Sequence, residues 1–516
     1  MHLGDIPRRN SLRYPEKTAM VFGGKSLTWL QVNQRVNALV HALRGKGLNK
    51  GDRIGILMQN RSQFWEIYWA LGKAGMIAVP LSYRLTPGEL EQLVNHAEIT
   101  AMIAGEECFD QVEGLRQRTQ LIQLFIGIGQ VPGYMDDYEA LLAAQPVSEP
   151  WSDTNENDIF AIFYTSGTTG LPKGAMVSHI NLEANCFNQF LADRSQKDDI
   201  NLTTSPLYHM GAVFMGMTYT YLGCTNYIHQ HFDPLEVLET VSRVKITVCL
   251  LIPTILNMLL NHPDFDRYDL NSLRIVFYGG GPMPLAVLNR AIEKIGCGFT
   301  QGYGLTETLE ATFLRSEDHV LNGNEKQRKR LLSAGQEAVG AEVRIIGDDG
   351  RDLGAGEVGE VLIKSRSVIH GYWKMPELNR EVIEDGWFHT GDLGYLDEER
   401  YLFIVDRMKD MIISGGVNIY PKEIEEVFYA HPAVAEAAVI GVPDELWGES
   451  VKALVVLRAN YQSTEAELID YCKDRLAGYK KPKSVEFLEE LPKNPSGKIL
   501  KRVLREKYWA GQTRKC

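Results

Sequence analysis

Apolar residues at Val32, Val36, Leu39 and Val40 recur at the spacing that places side chains on one face of a helix. Arg53 to Met58 then reads as a short buried strand, Phe64 to Ala74 as a helix and Met76 to Pro80 as a second strand. The same alternation returns further on. Ile159 to Tyr164 is almost wholly apolar, the pattern of a strand covered on both faces. Leu273 to Tyr278 predicts a strand that runs into Gly279-Gly280-Gly281-Pro282, followed by a helix with Leu285, Leu288, Ala291, Ile292 and Ile295 on one side. Val343 to Ile363 is Gly-rich and strand-like. Beyond Asp406 to Lys409 a new, smaller pattern starts: Pro421 opens a helix carrying Ile424, Val427 and Phe428, and Val434–Val442 and Val451–Leu457 read as strands. The chain has 516 residues, and single cores stop growing near roughly 250–300 residues, so more than one domain is expected. The expectation is an α/β protein: a large N-terminal multi-layer α/β domain over 1–406, and a small C-terminal α+β domain over 407–516. No internal repeat interrupts it.

Composition narrows the function without naming it. The formal net charge of −12 argues against nucleic acid as the main partner. From Tyr479 to Cys516, however, 11 Lys or Arg face 4 Asp or Glu, and a basic segment on an acidic protein suits a polyphosphate ligand as well as it suits a solvated helix end. No run of apolar residues is long enough for a membrane span. Met1 to Arg13 lacks the pattern of a secretory signal, and Arg514-Lys515-Cys516 is no peroxisomal address. The seven cysteines are scattered, with no pair at metal-ligand spacing, as for free thiols in a reducing cytoplasm.

The most informative stretch follows the Ile159 strand directly: Tyr164-Thr165-Ser166-Gly167-Thr168-Thr169-Gly170-Leu171-Pro172-Lys173-Gly174. Glycines let the backbone approach a ligand with its N–H groups turned inward. Thr165, Ser166, Thr168 and Thr169 add hydroxyl donors and Lys173 a cation, a set suited to a triphosphate. The order Lys173-Gly174-Ala175 is not that of a Walker loop, which needs Gly-Lys-Ser/Thr.

On this string, and on several others in the same order along roughly residues 10–505, the chain resembles the adenylate-forming superfamily: acyl-CoA synthetases, adenylation domains of peptide synthetases and beetle luciferases. The resemblance implies that Gly279, Gly280, Gly281 and Pro282 turn against the adenine ring. In Gln301-Gly302-Tyr303-Gly304-Leu305-Thr306-Glu307, it implies that Tyr303 stacks on adenine, Thr306 meets the α-phosphate and Glu307 holds Mg²⁺. Asp392, in Trp387-Phe388-His389-Thr390-Gly391-Asp392, would accept from the ribose hydroxyls, with Arg407 reaching the ribose or phosphates. Lys498, in Pro492-Lys493-Asn494-Pro495-Ser496-Gly497-Lys498-Ile499, would be the catalytic lysine of a mobile C-terminal lid. Lys409 would be its hinge, and Gly415 and Gly416 would leave a channel for the pantetheine arm. His209, in Pro206-Leu207-Tyr208-His209, would be an aromatic gate beside the carboxylate pocket. Taken singly, Asp392 and Arg407 also read as ion-pair partners, His209 as a core residue and Lys409 as a linker lysine. Met210, Val213, Phe214 and Met215 are candidates for pocket or core. No acid near Met215 offers a partner for a substrate ammonium, which favours a fatty (medium- to long-chain) or aromatic acid.

The implied activity is acyl-AMP formation from ATP and a small carboxylic acid, then transfer to coenzyme A. Loading of a carrier protein, a luciferase-type oxygenation, and a non-catalytic nucleotide-binding role on the same fold are the alternatives. The last is disfavoured by the presence of Lys173, Glu307, Asp392, Arg407 and Lys498 together. The oligomeric state, a homodimer included, is left open.

Overall fold

The computed structural model describes residues 2–165, 172–459, 461–493 and 499–510. Its strands and helices fall where the periodicity places them, with ends moved by a few residues: Arg53–Leu57, Ser62–Ala74, Ile77–Leu81, Ile159–Thr165, Ile275–Gly279 and Leu285–Ile295. A seven-stranded sheet carries the parallel strands Leu124–Ile128, Ile99–Gly105, Arg53–Leu57, Ile77–Leu81 and Ile159–Thr165, and Lys173–Ser178 returns antiparallel to the last. A nine-stranded sheet holds Ile200–Thr203, Thr225–Ile228, Val248–Leu250, Ile275–Gly279 and Gly298–Leu305 in parallel, with Leu309–Leu314 folding back on the last as a hairpin.

The helices Ser62–Ala74 and Met210–Tyr221 are buried nearly all round, as a helix must be when it is apolar on every side. They share one core with residues of both sheets, among them Ile54, Phe160, Val248 and Phe277. A third, five-stranded antiparallel sheet includes Ala341–Ile346, Gly359–Ser365, Trp387–Leu396 and Leu402–Arg407. The helix His179–Asp193 fastens it. Asn181 donates to the carbonyls of Arg366 and Val368, both at 2.8 Å. One turn on, Asn185 accepts from Glu310 N at 2.9 Å, and Asn188 accepts from Gly340 N at 3.0 Å. Arg366, Val368 and Gly340 lie just outside the strands of this sheet, and Glu310 lies in Leu309–Leu314 of the nine-stranded one, so the helix ties the two sheets together.

The C-terminal sheet is built on the long hairpin Val434–Asp444 and Gly448–Leu457. Alternation sends Ala437 and Val439 to a core with Ile424 and Phe428 of the helix Pro421–Tyr429. Ala438 and Ile440 face Leu504 of the helix Lys501–Trp509 on the other side. This unit therefore has cores of its own.

Candidate active site

The phosphate loop sits at a strand turn. Thr165 and Lys173 are cross-strand partners at its base, so both ends are anchored; Ser166, Gly167, Thr168, Thr169 and Gly170 lie outside the described residues. A short segment then crosses from this strand pair to the next motif. Met176 N donates to Gly371 O at 3.0 Å and Trp373 N to Gly174 O at 2.8 Å, while Ile369 N donates to Glu307 O at 2.9 Å. Within it the Tyr372 hydroxyl donates to Glu307 Oε1 at 2.7 Å, and Lys173 Nζ lies 5.3 Å from the centre of the Tyr372 ring. Burial and the Glu307 charge raise the phenol pKa, which keeps it a donor.

Thr306 and Glu307 occupy the tight turn between Gly298–Leu305 and Leu309–Leu314, where Leu305 and Leu309 pair. Thr308 braces the turn: its Oγ1 accepts from Leu305 N at 3.0 Å and its carbonyl accepts from Ser367 Oγ at 2.8 Å. The glycines have steric causes. A Cβ on Gly304 would lie 1.6 Å from Leu309 O, and one on Gly279 would lie 2.6 Å from Gly302 O. The second distance reflects register. Gly279 and Gly302 are parallel partners, so the Gly279–Pro282 turn and the Gln301–Glu307 motif leave the sheet side by side.

The ribose motif arrives from the third sheet. Asp392 and Arg407 are directly paired across their strands; Arg407 Nε reaches Asp392 Oδ1 at 3.1 Å, and the Tyr303 hydroxyl donates to Asp392 Oδ2 at 2.9 Å. Burial works against the Arg407 charge, but Asp392, Asp410, Tyr303 and Glu307 outweigh it and raise its pKa. Lys173, Tyr372 and Glu307 thus form one linked group and Tyr303, Asp392 and Arg407 another, with Tyr303 and Glu307 carried by the same strand and its turn.

Lys409 is held in a short 3₁₀ turn, Met408–Asp410, where burial first and then Arg407 lower its ammonium pKa. The Asp406 carboxylate accepts from Lys422 N at 2.9 Å, and Lys422 Nζ donates to Ile404 O at 2.7 Å, so the two domains are tied beside that turn. Gly415 and Gly416 form the exposed tip of the Ile412–Ser414/Val417–Ile419 hairpin. Their φ values of 60° and 79° are the left-handed backbone conformation that a two-residue hairpin turn uses to match the right-handed twist of its strands. Lys498 lies outside the described residues, and Lys493 and Ile499 on either side of that stretch form an antiparallel bridge. Further on, Arg505 pairs with Asp410 at 2.7 Å and Lys501 with Glu425 at 2.7 Å.

His209 precedes the buried helix Met210–Tyr221 with its ring 4.4 Å from that of Tyr208, and its buried Nε2 has no hydrogen-bond partner among the described residues. Burial, with Arg84 adding, lowers its pKa to about 4, so the ring is neutral near neutral pH. Met210, Val213, Phe214 and Met215 are all buried; Phe214 packs edge-on to Phe277 at 5.7 Å.

Glu307 fits a magnesium ion that arrives with a nucleotide. Oε1 is taken by Tyr372, and Oε2 accepts no hydrogen bond from the described residues. No group of three or more His, Cys, Asp or Glu comes together among those residues. A single carboxylate beside phosphate oxygens is a common way for proteins to hold Mg²⁺. Sequence reasoning missed Tyr372 and the Asp406–Lys422 tie. Each joins positions far apart in the chain, and no local spacing signals them.

Over residues 7–373 the chain matches the AMP-binding enzyme family, and over 423–498 the AMP-binding enzyme C-terminal domain. It is 38% identical over 508 residues to the feruloyl-CoA synthase of an Amycolatopsis species, covering 98% of this chain and 99% of that one. It is 34% identical over 509 residues to the fatty acid–[acyl-carrier-protein] ligase ScoC of Streptomyces coeruleorubidus, covering 97% and 95%. Among solved structures, the anthranilate CoA ligase AuaEII in complex with anthranoyl-AMP matches with a TM-score of 0.90 at 28% identity, over 98% of this chain and 97% of that one. A family match through most of the large domain, a second in the small one and whole-length likeness to acid–thiol ligases establish that this chain belongs to the AMP-binding enzyme family.

Proposed function

We propose that this chain is an AMP-forming acyl-CoA ligase that activates a fatty or aromatic carboxylic acid. One observation supports the reading: Tyr372 links the strand after the Thr165–Lys173 stretch to the Glu307 turn, Tyr303 links the same hairpin to the Asp392–Arg407 pair, and the Gly279–Pro282 turn lies in register beside it.

In the first half-reaction the substrate carboxylate attacks the α-phosphorus of ATP and pyrophosphate leaves. No general base is required, because the acid is already ionised near neutral pH. Two anions must meet, so the work falls to aimed positive charge and donors: Thr165 to Gly170 and Lys173 on the phosphates, Thr306 on the α-phosphate, and Lys498 on the attacking oxygen and the α-phosphate. Asp392, engaged by Arg407 and Tyr303, orients the ribose, and Tyr303 supports the base against Gly279 to Pro282. When bound through Glu307, Mg²⁺ supplies charge neutralisation for the departing pyrophosphate. In the second half-reaction a thiol attacks the acyl carbonyl and AMP leaves. We assign the pivot between the steps to Lys409, with the small domain from residue 407 onward rotating, and the thiol channel to Gly415 and Gly416. The neutral His209 ring is the gate between acyl pocket and channel.

No described helix is long and apolar enough to cross a membrane, and the six described cysteines are free thiols, which supports our placement of the enzyme in the cytoplasm. A carrier protein is the second acceptor to weigh, since ScoC is named for one. The test is exchange of radiolabelled pyrophosphate into ATP across fatty and aromatic acids, followed by AMP release with CoA or with a phosphopantetheinyl carrier protein. Exchange with at least one acid, and faster AMP release with CoA, are expected. The absence of exchange with every acid would end the proposal; faster release with the carrier would replace the acceptor.

A further inference from the structure

We infer that Tyr372 fixes how many oxygens Glu307 can offer a divalent cation, and so sets the preference for magnesium over calcium; the inference rests on Glu307 being the metal-bearing carboxylate. Tyr372 is 5% exposed, and its hydroxyl holds Oε1 at 2.7 Å while leaving Oε2 open. The phenol cannot readily follow a moving carboxylate. Its backbone N donates to Asn379 Oδ1 at 2.6 Å and its carbonyl accepts from Asn379 Nδ2 at 3.0 Å. Gly371 before it has φ +127°, and a Cβ there would meet the Asn379 amide at 2.7 Å, so the turn that aims the tyrosine requires glycine. The same segment is hydrogen-bonded to Gly174 and Met176 on one side and to the Glu307 carbonyl on the other. Tyr372 is therefore a positioning residue held between the phosphate-loop strand and the metal turn.

The chemistry follows from the number of free lone pairs. Ca²⁺ takes six to eight oxygens at about 2.3–2.6 Å and often uses both oxygens of one carboxylate, whereas Mg²⁺ demands a tight octahedron at about 2.0–2.1 Å and takes carboxylates one oxygen at a time. With Oε1 already accepting from a clamped phenol, only Oε2 keeps both of its lone pairs, and binding through Oε2 alone suits the smaller ion. The Tyr372 ring also stands beside the Lys173 ammonium, at 5.3 Å, and no ion pair of Lys173 occurs among the described residues.

The experiment uses the full chain and reads equilibrium binding of ATP by calorimetry with Mg²⁺ or Ca²⁺, binding of Mn²⁺·ATP by electron paramagnetic resonance, and metal-free AMP binding as control. Tyr372→Phe is expected to lower the Mg²⁺-to-Ca²⁺ affinity ratio by about tenfold, the worth of one hydrogen bond to a charged group, and to leave AMP binding unchanged. Asn379→Ala keeps the phenol but loosens its clamp, and should shift the ratio the same way by less; it stands in if Tyr372→Phe does not fold. Glu307→Gln separates the two ideas. If it leaves the metal dependence of ATP binding intact, Glu307 is not the ligand and the inference falls with it. If Glu307→Gln abolishes that dependence while Tyr372→Phe keeps the wild-type ratio, the role of Tyr372 alone is overturned.

Discussion

Glu310 shows what burial does to a carboxyl that the chemistry leaves unused. It lies under the Tyr303 strand: its Oε2 is 2.5 Å from where a Gly302 Cβ would stand, and that oxygen has no hydrogen-bond partner among the described residues. Burial pushes its pKa from 4.5 up to about 8, and the nearby Asp193 adds to the shift. Asp193 is itself pushed to about 6 by burial, against hydrogen bonds from Gln189 and Tyr219. The sign follows from linkage. The folded protein holds the Glu310 proton more tightly than the unfolded chain, so the stability this brings is complete below about pH 4.5 and is lost as the pH rises through about 8. Glu310→Gln removes that titration. The melting temperature of the variant minus that of the wild type should rise between pH 5 and pH 9, by roughly 2–5 °C, as expected for a linkage term of up to about 4 kcal/mol in a large domain. A difference that stays flat across that range would show that Glu310 does not titrate there.

The hairpin of Gly298–Leu305 and Leu309–Leu314 carries Tyr303, Thr306 and Glu307 of the proposed nucleotide site, and it is built with little slack. Leu309 already sits at φ +52°, a strained setting for a leucine, of order 1–2 kcal/mol. The missing Cβ of Gly304 is what lets Leu309 O approach. Gly304→Ala should therefore move the Thr306–Glu307 turn, costing about 2–4 kcal/mol and at least about a hundredfold in pyrophosphate exchange. Gly416→Ala is the contrast. Nothing lies within 4 Å of its Cβ, and only the φ of 79° is penalised, so about 1 kcal/mol is expected, with exchange unchanged. Scanning calorimetry with the exchange assay checks both, and similar losses in the two would refute the steric account. The contrast also marks what could be read in advance. Gln301 to Glu307 was legible because a glycine-spaced string sits at one place in the chain, and the flanking strands because their apolar positions alternate. Tyr372 and Lys422 were not, because each matters only through a partner that folding brings near from far along the chain. The helix Met210–Tyr221 was half legible. Its apolar residues announced burial, but an all-round apolar helix does not say which face borders a ligand.

Across the whole chain the question is which working arrangement the two domains hold here. The Gly415–Gly416 tip is exposed, and beside it Leu446 and Trp447 are 78% and 48% exposed. Under the roles we propose, a channel-bordering hairpin that is turned to solvent fits adenylate formation rather than thioester formation. Lys422 stabilises it across the boundary through Asp406 and the Ile404 carbonyl. Arg505–Asp410 and Lys501–Glu425 lie within the small domain, and burial opposes the Lys501 charge less than Glu425, Asp406 and Asp410 support it, so that unit should move as one piece. The rotation we propose would then be absorbed near Lys409. Proline fixes φ near −65°, a value within the 3₁₀ range, so Lys409→Pro blocks a large change of that angle. Pyrophosphate exchange should stay within about threefold of wild type, while thioester formation from supplied acyl-AMP should fall at least about tenfold, because the gating motion is needed only for the second step. Single-turnover measurement of each half-reaction decides it. Wild-type rates in both would place the pivot elsewhere. Loss of the first step alone would mean that the exposed hairpin has been misread and that this arrangement belongs to thioester formation.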